Sequence, residues 1–196
     1  MSKTPTPLKP EQVKEILIDT PQLQQRVREL GAAITRAYTP APLTLLCLLK
    51  GALPFTADLM RAISLPLRLE CLRVASYGKC TTSSGSPDIR CGLETNLSGQ
   101  HVLIVDDILD TGATLSCVLE LLKAQNCASL RTCVLLDKKR RRITPLKADL
   151  VGFTIPDHFV VGYGLDQAEQ YRNLSYIAIT TTTPAPPPSH SAQQTP

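Results

Sequence analysis

The sequence predicts an α/β domain built on a mainly parallel, twisted sheet with helices on both faces. Three observations carry that expectation. Short, largely apolar segments of strand length recur at 43–49, 101–105 and 130–136, the first a continuous run of the kind buried on both faces. Stretches of helical apolar spacing separate them, which is the strand–helix–strand rhythm of a parallel sheet. The 196 residues are 43% hydrophobic and 19% charged, enough for one domain with a real core.

Taken in order, residues 1–12 are rich in Pro and Lys and are expected to be flexible, with the domain proper over 13–180. Thr20-Pro21 reads as a helix N-cap followed by proline at the first helical position. Leu23, Val27, Leu30, Ile34 and Ala37 then continue at helical spacing, so this helix covers one face of the core. The run Leu43–Leu49 is a buried strand that stops at Lys50-Gly51, and Phe55, Leu59 and Ile63 mark the next helix. A strand is expected at 67–77. Residues 78–99 are polar, rich in Gly, Ser and Thr, and without a period; a loop this long in a compact domain is usually functional or mobile. Strands follow at 101–105, 130–136 and 150–155, with shorter ones at 159–163 and 176–179. Leu115, Val118, Leu119 and Leu122 place a helix after the first of these. The Thr-, Pro- and Ser-rich tail, 181–196, cannot bury enough apolar area to order itself.

Composition narrows the function classes. No apolar run approaches the length of a membrane span, and the N-terminus lacks the apolar stretch of a signal peptide, so a cytoplasmic protein is expected. Seven cysteines are scattered with no C-x-x-C pair, which argues against a zinc site or a disulfide framework. A net charge of +4 is too mild to imply nucleic-acid binding and equally suits a phosphate-rich small substrate.

The segment 102–114, VLIVDDILDTGAT, is the informative one. An apolar strand runs into two adjacent acids, then Asp110-Thr111-Gly112-Ala113-Thr114, then a helix. A loop at a helix N-terminus presents unpaired N–H groups and the positive end of the helix dipole, which together bind phosphate. Gly112 permits close backbone approach, and Thr111 and Thr114 can donate hydroxyl hydrogen bonds. Asp106 and Asp107 can accept from vicinal hydroxyls. Ribose 5-phosphate offers both a dianion and such a diol. No G-x-x-x-x-G-K-[ST] occurs, which excludes a Walker-type site.

This stretch resembles the PRPP-binding signature of the type I phosphoribosyltransferases, and four further patches resemble the hypoxanthine–guanine branch of that family. The likeness runs over roughly residues 15–180. It implies the family's fold, with a small hood over the parallel sheet, and PRPP binding by Asp106, Asp107, Ile108, Leu109, Asp110, Thr111, Gly112, Ala113 and Thr114. Lys50-Gly51 matches the turn that binds pyrophosphate through backbone amides, often with a cis peptide. Ser76-Tyr77 matches the pair that opens the family's mobile lid. Lys138, the first residue of the run KKRRR, matches the lysine that donates to the purine 6-oxo group, and the other four cations are expected to be mostly solvated. In PDHFVVGYGLD, Phe159 would stack on the purine and the Val160 backbone would read its edge. His158 would stay at the surface with its backbone near the pocket. Asp166 would hold magnesium, and Arg172 would grip pyrophosphate. The departures are small: Asp106 stands where many animal relatives carry Glu, and Ala113 replaces a common Lys.

The resemblance therefore implies purine salvage with Mg²⁺: hypoxanthine or guanine and PRPP give IMP or GMP and pyrophosphate, with xanthine left open. Asp110 would act as the base catalyst, and the protein would be a homodimer or homotetramer that binds neither nucleic acid nor membrane. Two rivals use the same fold. An RNA-binding pyrimidine-operon regulator would carry an aromatic where Asp110 stands and would lack Phe-Val-Val-Gly-Tyr. A silent paralogue would bind nucleotide without turnover.

Overall fold

The computed structural model describes residues 13–74 and 95–181. Ser76, Tyr77, the expected lid up to residue 94, the first 12 residues and the tail from 182 lie outside them. Five strands form one parallel sheet in the order β3-β2-β4-β5-β6. They are β2 (Leu43–Leu49), β3 (Leu67–Arg73), β4 (His101–Leu109), β5 (Ser129–Asp137) and β6 (Leu150–Thr154). Helices α1 (Thr20–Tyr38) and α2 (Leu53–Ala62) cover one face, and α3 (Ala113–Lys123) covers the other. A second sheet, ordered β1-β8-β7, joins β1 (Val13–Ile18), β7 (Val160–Val161) and β8 (Ile177–Thr180) antiparallel.

The three inner strands, β2, β4 and β5, carry largely apolar runs because both of their faces are buried, whereas the edge strands β3 and β6 are mostly half-buried or exposed. In β2 every residue but Leu49 is buried, with Leu43 and Leu45 packed toward Phe55, Leu59 and Ile34, and Leu46 and Leu48 toward Leu115 and Val118. Two cores thus lie on opposite sides of one sheet. Leu97, at the end of the polar loop, is fully buried in the second core and anchors the return into β4.

The structure corrects several expectations. Asp19, not Thr20, is the N-cap of α1: its carboxylate accepts from the Gln22 amide at 2.8 Å, and the Gln22 side chain accepts from the Asp19 amide at 3.0 Å. That reciprocal pair is a capping box. Thr20 instead donates to the Ser175 carbonyl at 2.9 Å, tying α1 to the segment before β8. Asp19→Ala is expected to cost about 1 kcal/mol of stability, read as a lower denaturant midpoint at unchanged slope. The buried stripe of α1 ends on Tyr38, with Ala37 exposed. The strand expected at 159–163 is only Val160–Val161, because Gly162, Tyr163 and Gly164 all take positive φ. β1 was not anticipated. Lys14, Glu15 and Ile16 face solvent in succession, and two register shifts break its pairing with β8, so no period of two survives.

Candidate active site

Strand order reverses between β2 and β4: the chain leaves β2 toward β3 on one side and returns to β4 on the other. In open α/β sheets the crevice at such a switch, beyond the carboxyl ends of the strands, is where ligands bind. The pairing opens it. β4 is bonded to β2 only as far as Val105, yet to β5 as far as Leu109, so the flank of Asp106–Leu109 that faces away from β5 is left without a neighbour. Here the acids expected beyond the strand are strand residues at its unpaired edge. A cavity of about 420 Å³ lies there, within the range of small-molecule sites.

One wall is the loop between β4 and α3. Gly112 is the N-cap of α3 with φ 86°, a conformation that would strain any other residue. Thr111, Gly112 and Thr114 line the cavity, while Ala113 does not. The opposite wall is the turn after β2, where the Leu49–Lys50 peptide is cis. A side chain at Gly51 would run into the Asp107 carboxylate, so only glycine lets this turn lie against the acids. The turn carrying Gly164 closes on Gly51 from the other side.

Asp106 and Asp107 form the floor. The Asp107 amide donates to the Asp106 carboxylate at 3.0 Å, and the Ile108 amide to that of Asp107 at 2.8 Å. Burial, and then the neighbouring Asp107 charge, push Asp106 well above the usual carboxylate range, and burial pushes Asp107 up as well. Ionisation of the pair above those raised values costs the free protein stability, and that cost fades as pH falls through them. Asp106→Asn is therefore expected to raise the melting temperature at neutral pH, with the gain shrinking toward about pH 4. Melting scans across pH check this, and a gain that does not change with pH would contradict it.

The third wall belongs to the ends of β5 and β7. Lys138 is 4% exposed and lines the cavity with Phe159, Val160 and Leu165. Burial lowers its proton affinity, opposed by the charges of Asp110 and Asp157. Asp110 Oδ1 is buried with no hydrogen-bond partner among the described residues, and Oδ2 lies 3.6 Å from Arg141. Arg141 also reaches Asp157 at 3.7 Å. His158 is exposed, in keeping with its expected place at the surface, and its neighbour Phe159 lines the cavity.

Cations gather at the mouth. Arg172 pairs with Asp166 at 2.7 Å and Glu169 at 3.3 Å, and donates to the Gly164 carbonyl at 2.7 Å. Lys50 pairs with the same Glu169 carboxylate at 2.9 Å. Those contacts, the Lys50 hydrogen bond first, hold the Glu169 carboxyl below its usual range. The crevice thus joins an amide-lined loop, two adjacent acids, an oxygen-seeking lysine beside an aromatic face, and a cationic rim.

A divalent ion would need oxygen ligands, and no three His, Cys, Asp or Glu side chains converge on one point among the described residues. Carboxylates line the cavity at Asp106, Asp107, Asp110 and Asp166, oxygen donors of the kind magnesium uses one or two at a time, with water and substrate phosphates completing its shell. Asp166 lines the cavity, with one oxygen on Arg172 and the other accepting from the Glu169 amide at 2.9 Å.

Reading the sequence missed Arg142, expected to be solvated with its neighbours. It is part-buried and forms an ion pair with Asp137, itself 7% exposed. The signal for it was Asp137, an acid closing an apolar strand, which required a nearby cation.

The model of the phosphoribosyl transferase domain matches residues 13–168. The chain is 45% identical over 167 residues to the hypoxanthine-guanine phosphoribosyltransferase of Bacillus subtilis, covering 85% of this chain and 93% of that protein. It is 43% identical to part of the bifunctional protein TilS/HprT of Listeria innocua, of which it spans 26%. Among solved structures, a hypoxanthine-guanine phosphoribosyltransferase from Bacillus anthracis superposes with a TM-score of 0.81 at 37% identity, covering 87% of this chain and 99% of that one.

Proposed function

The chain belongs to the hypoxanthine-guanine phosphoribosyltransferases within the phosphoribosyl transferase family, and on that premise we propose how its crevice carries out the transfer. It moves the 5-phosphoribosyl group of PRPP to hypoxanthine or guanine, giving IMP or GMP and pyrophosphate. The observation that carries this reading is the single cavity shared by the Thr111–Thr114 loop, the Asp106–Asp107 pair and Lys138 with Phe159. Loop, floor and far wall match, in order, the phosphate, the diol and the oxopurine of one nucleotide.

The amides at the start of α3, with the Thr111 and Thr114 hydroxyls, bind the 5′-phosphate. Asp106 and Asp107 accept from the ribose hydroxyls, which relieves part of their mutual repulsion. Phe159 offers its face to the purine, and Lys138 donates to the 6-oxo group. Positive charge grows on ribose as the bond to pyrophosphate breaks. Backbone amides of the Lys50-Gly51 turn and the Arg172 guanidinium bind the departing polyanion. Asp110 takes a proton from the five-membered ring of the base, making the attacking nitrogen more nucleophilic. Asp166 would hold Mg²⁺, which neutralises charge on the leaving group when bound. By the family resemblance, the loop that follows Ser76-Tyr77, which lies outside the described residues, would exclude water during the transfer.

An intact Asp110 and the Phe159–Tyr163 segment favour this enzyme over an RNA-binding regulator of the same fold. The test is incubation with PRPP and Mg²⁺ and, separately, hypoxanthine, guanine, adenine or uracil, followed by separation of nucleoside monophosphates. IMP and GMP are expected, with little AMP or UMP. UMP alone, or no product with tight nucleotide binding, would overturn the reading. The same assay with xanthine settles the width of specificity. Light scattering of the protein distinguishes the homodimer from the homotetramer that family membership favours.

A further inference from the structure

A loop that binds a phosphate dianion must turn its amides toward the ligand and its carbonyls away, since a carbonyl oxygen facing the dianion repels it. Here three consecutive carbonyls are held from behind by the segment that follows β5. The Leu109 carbonyl accepts from the Lys138 amide at 3.0 Å and from Arg142 Nη2 at 3.3 Å. The Asp110 carbonyl accepts from Arg142 Nε at 3.0 Å. The Thr111 carbonyl accepts from the Ile143 amide at 3.0 Å, the Thr144 amide at 3.3 Å and the Thr144 hydroxyl at 3.4 Å. The next carbonyl, Gly112, is already engaged by α3 through the Ser116 amide at 2.9 Å.

Arg142 is the centre of this frame. Its Nη1 donates to the Leu146 carbonyl and its Nη2 to the Asp137 carboxylate, so all three guanidinium nitrogens have acceptors. The side chain is only 15% exposed. It does not line the cavity. A planar fork with fixed donor directions can hold two loop carbonyls and a buried acid at once, and an ammonium cannot.

We propose that Arg142 is the positioning residue of the phosphate loop: it never touches the ligand, yet it turns the Leu109 and Asp110 carbonyls outward so that the following amides face the 5′-phosphate. This rests on the reading of that loop as the phosphate site. It also links the end of β5, which presents Lys138, to the loop through Asp137, so the base and phosphate subsites share one buried ion pair.

The test compares IMP with inosine, which lacks the phosphate, by calorimetric titration of wild type, Arg142→Gln and Arg142→Lys. Wild type is expected to bind IMP far more tightly than inosine. Both substitutions should narrow that ratio by about 10- to 100-fold, the size of a lost charged hydrogen bond or two, with inosine changing less than about threefold. Arg142→Lys should be nearly as poor as Arg142→Gln, and millimolar guanidinium added to Arg142→Ala should restore part of the ratio. An unchanged ratio in the variants, or equal weakening of IMP and inosine, would overturn the proposal. Thr144→Val, which removes one donor to the Thr111 carbonyl, serves if the arginine variants do not fold. It should narrow the ratio by a smaller factor, and an unchanged ratio there would overturn the proposal equally. If wild type itself fails to prefer IMP, the phosphate reading falls, and the proposal with it.

Discussion

Asp110→Asn is expected to lower turnover by about 10²–10⁴-fold while leaving IMP affinity within a few-fold of wild type. The residue stands between the Asp106–Asp107 pair and the Thr111–Thr114 loop that enters α3. One of its carboxylate oxygens is buried without a hydrogen-bond partner among the described residues, ready to receive a proton. Asparagine keeps the size and the reach but cannot take up a proton at neutral pH. The Asp110 carbonyl still accepts from Arg142, and the Thr111 carbonyl from Ile143 and Thr144, so the loop keeps its shape. Single-turnover rates measured beside IMP affinity separate the two roles. Turnover near wild type would remove Asp110 from proton transfer, and loss of binding together with turnover would make it a structural residue.

The second large effect falls on the base. Lys138→Ala is expected to raise KM for hypoxanthine and guanine by a factor worth about 1.5–3 kcal/mol, the range for a hydrogen bond from a charged donor, with KM for PRPP little changed. Lys138 is almost fully buried beside Phe159 and Val160, so no water replaces the lost donor easily. A pH dependence accompanies it. Because burial lowers the proton affinity of Lys138, its protonated donor form is lost as pH rises through a value below the usual lysine pKa of about 10.4. KM for the base should therefore climb on the alkaline side earlier than an exposed lysine would allow, and Lys138→Ala should lack that limb. Equal losses for PRPP and base would place Lys138 elsewhere.

The inner strands of the sheet were legible because they are buried on both faces, so Leu43–Leu49 and 101–105 announce themselves by nearly unbroken apolar runs. The phosphate loop was legible because its chemistry is contiguous: acids, threonines and glycine follow one another within a dozen residues. What escaped depends on distant partners. β1 exists only through pairing with β8, more than 150 residues away, and carries too many exposed positions to show a period. Thr20 and Asp19 are both good caps, and the reciprocal Gln22 side chain decides between them. Arg142 was hidden in a run of five cations, in which charge alone cannot separate a part-buried ion pair from exposed neighbours such as Lys139 and Arg140. Asp106 and Asp107 were legible as acids at the strand's carboxyl end, but the sequence cannot reveal that β4 runs on to Leu109 while its pairing with β2 stops at Val105.

One nucleotide is expected to lie across the crevice between β2 and β4, from the α3 loop over the two acids to Lys138. A crystal structure of the protein with IMP decides this. The 5′-phosphate should sit on the amides of Thr111 to Thr114, the ribose hydroxyls on Asp106 and Asp107, and the 6-oxo group about 3 Å from Lys138 Nζ with Phe159 over the ring. IMP bound outside this crevice, or lying in it with the base toward Lys50 and the phosphate toward Lys138, would contradict the claim.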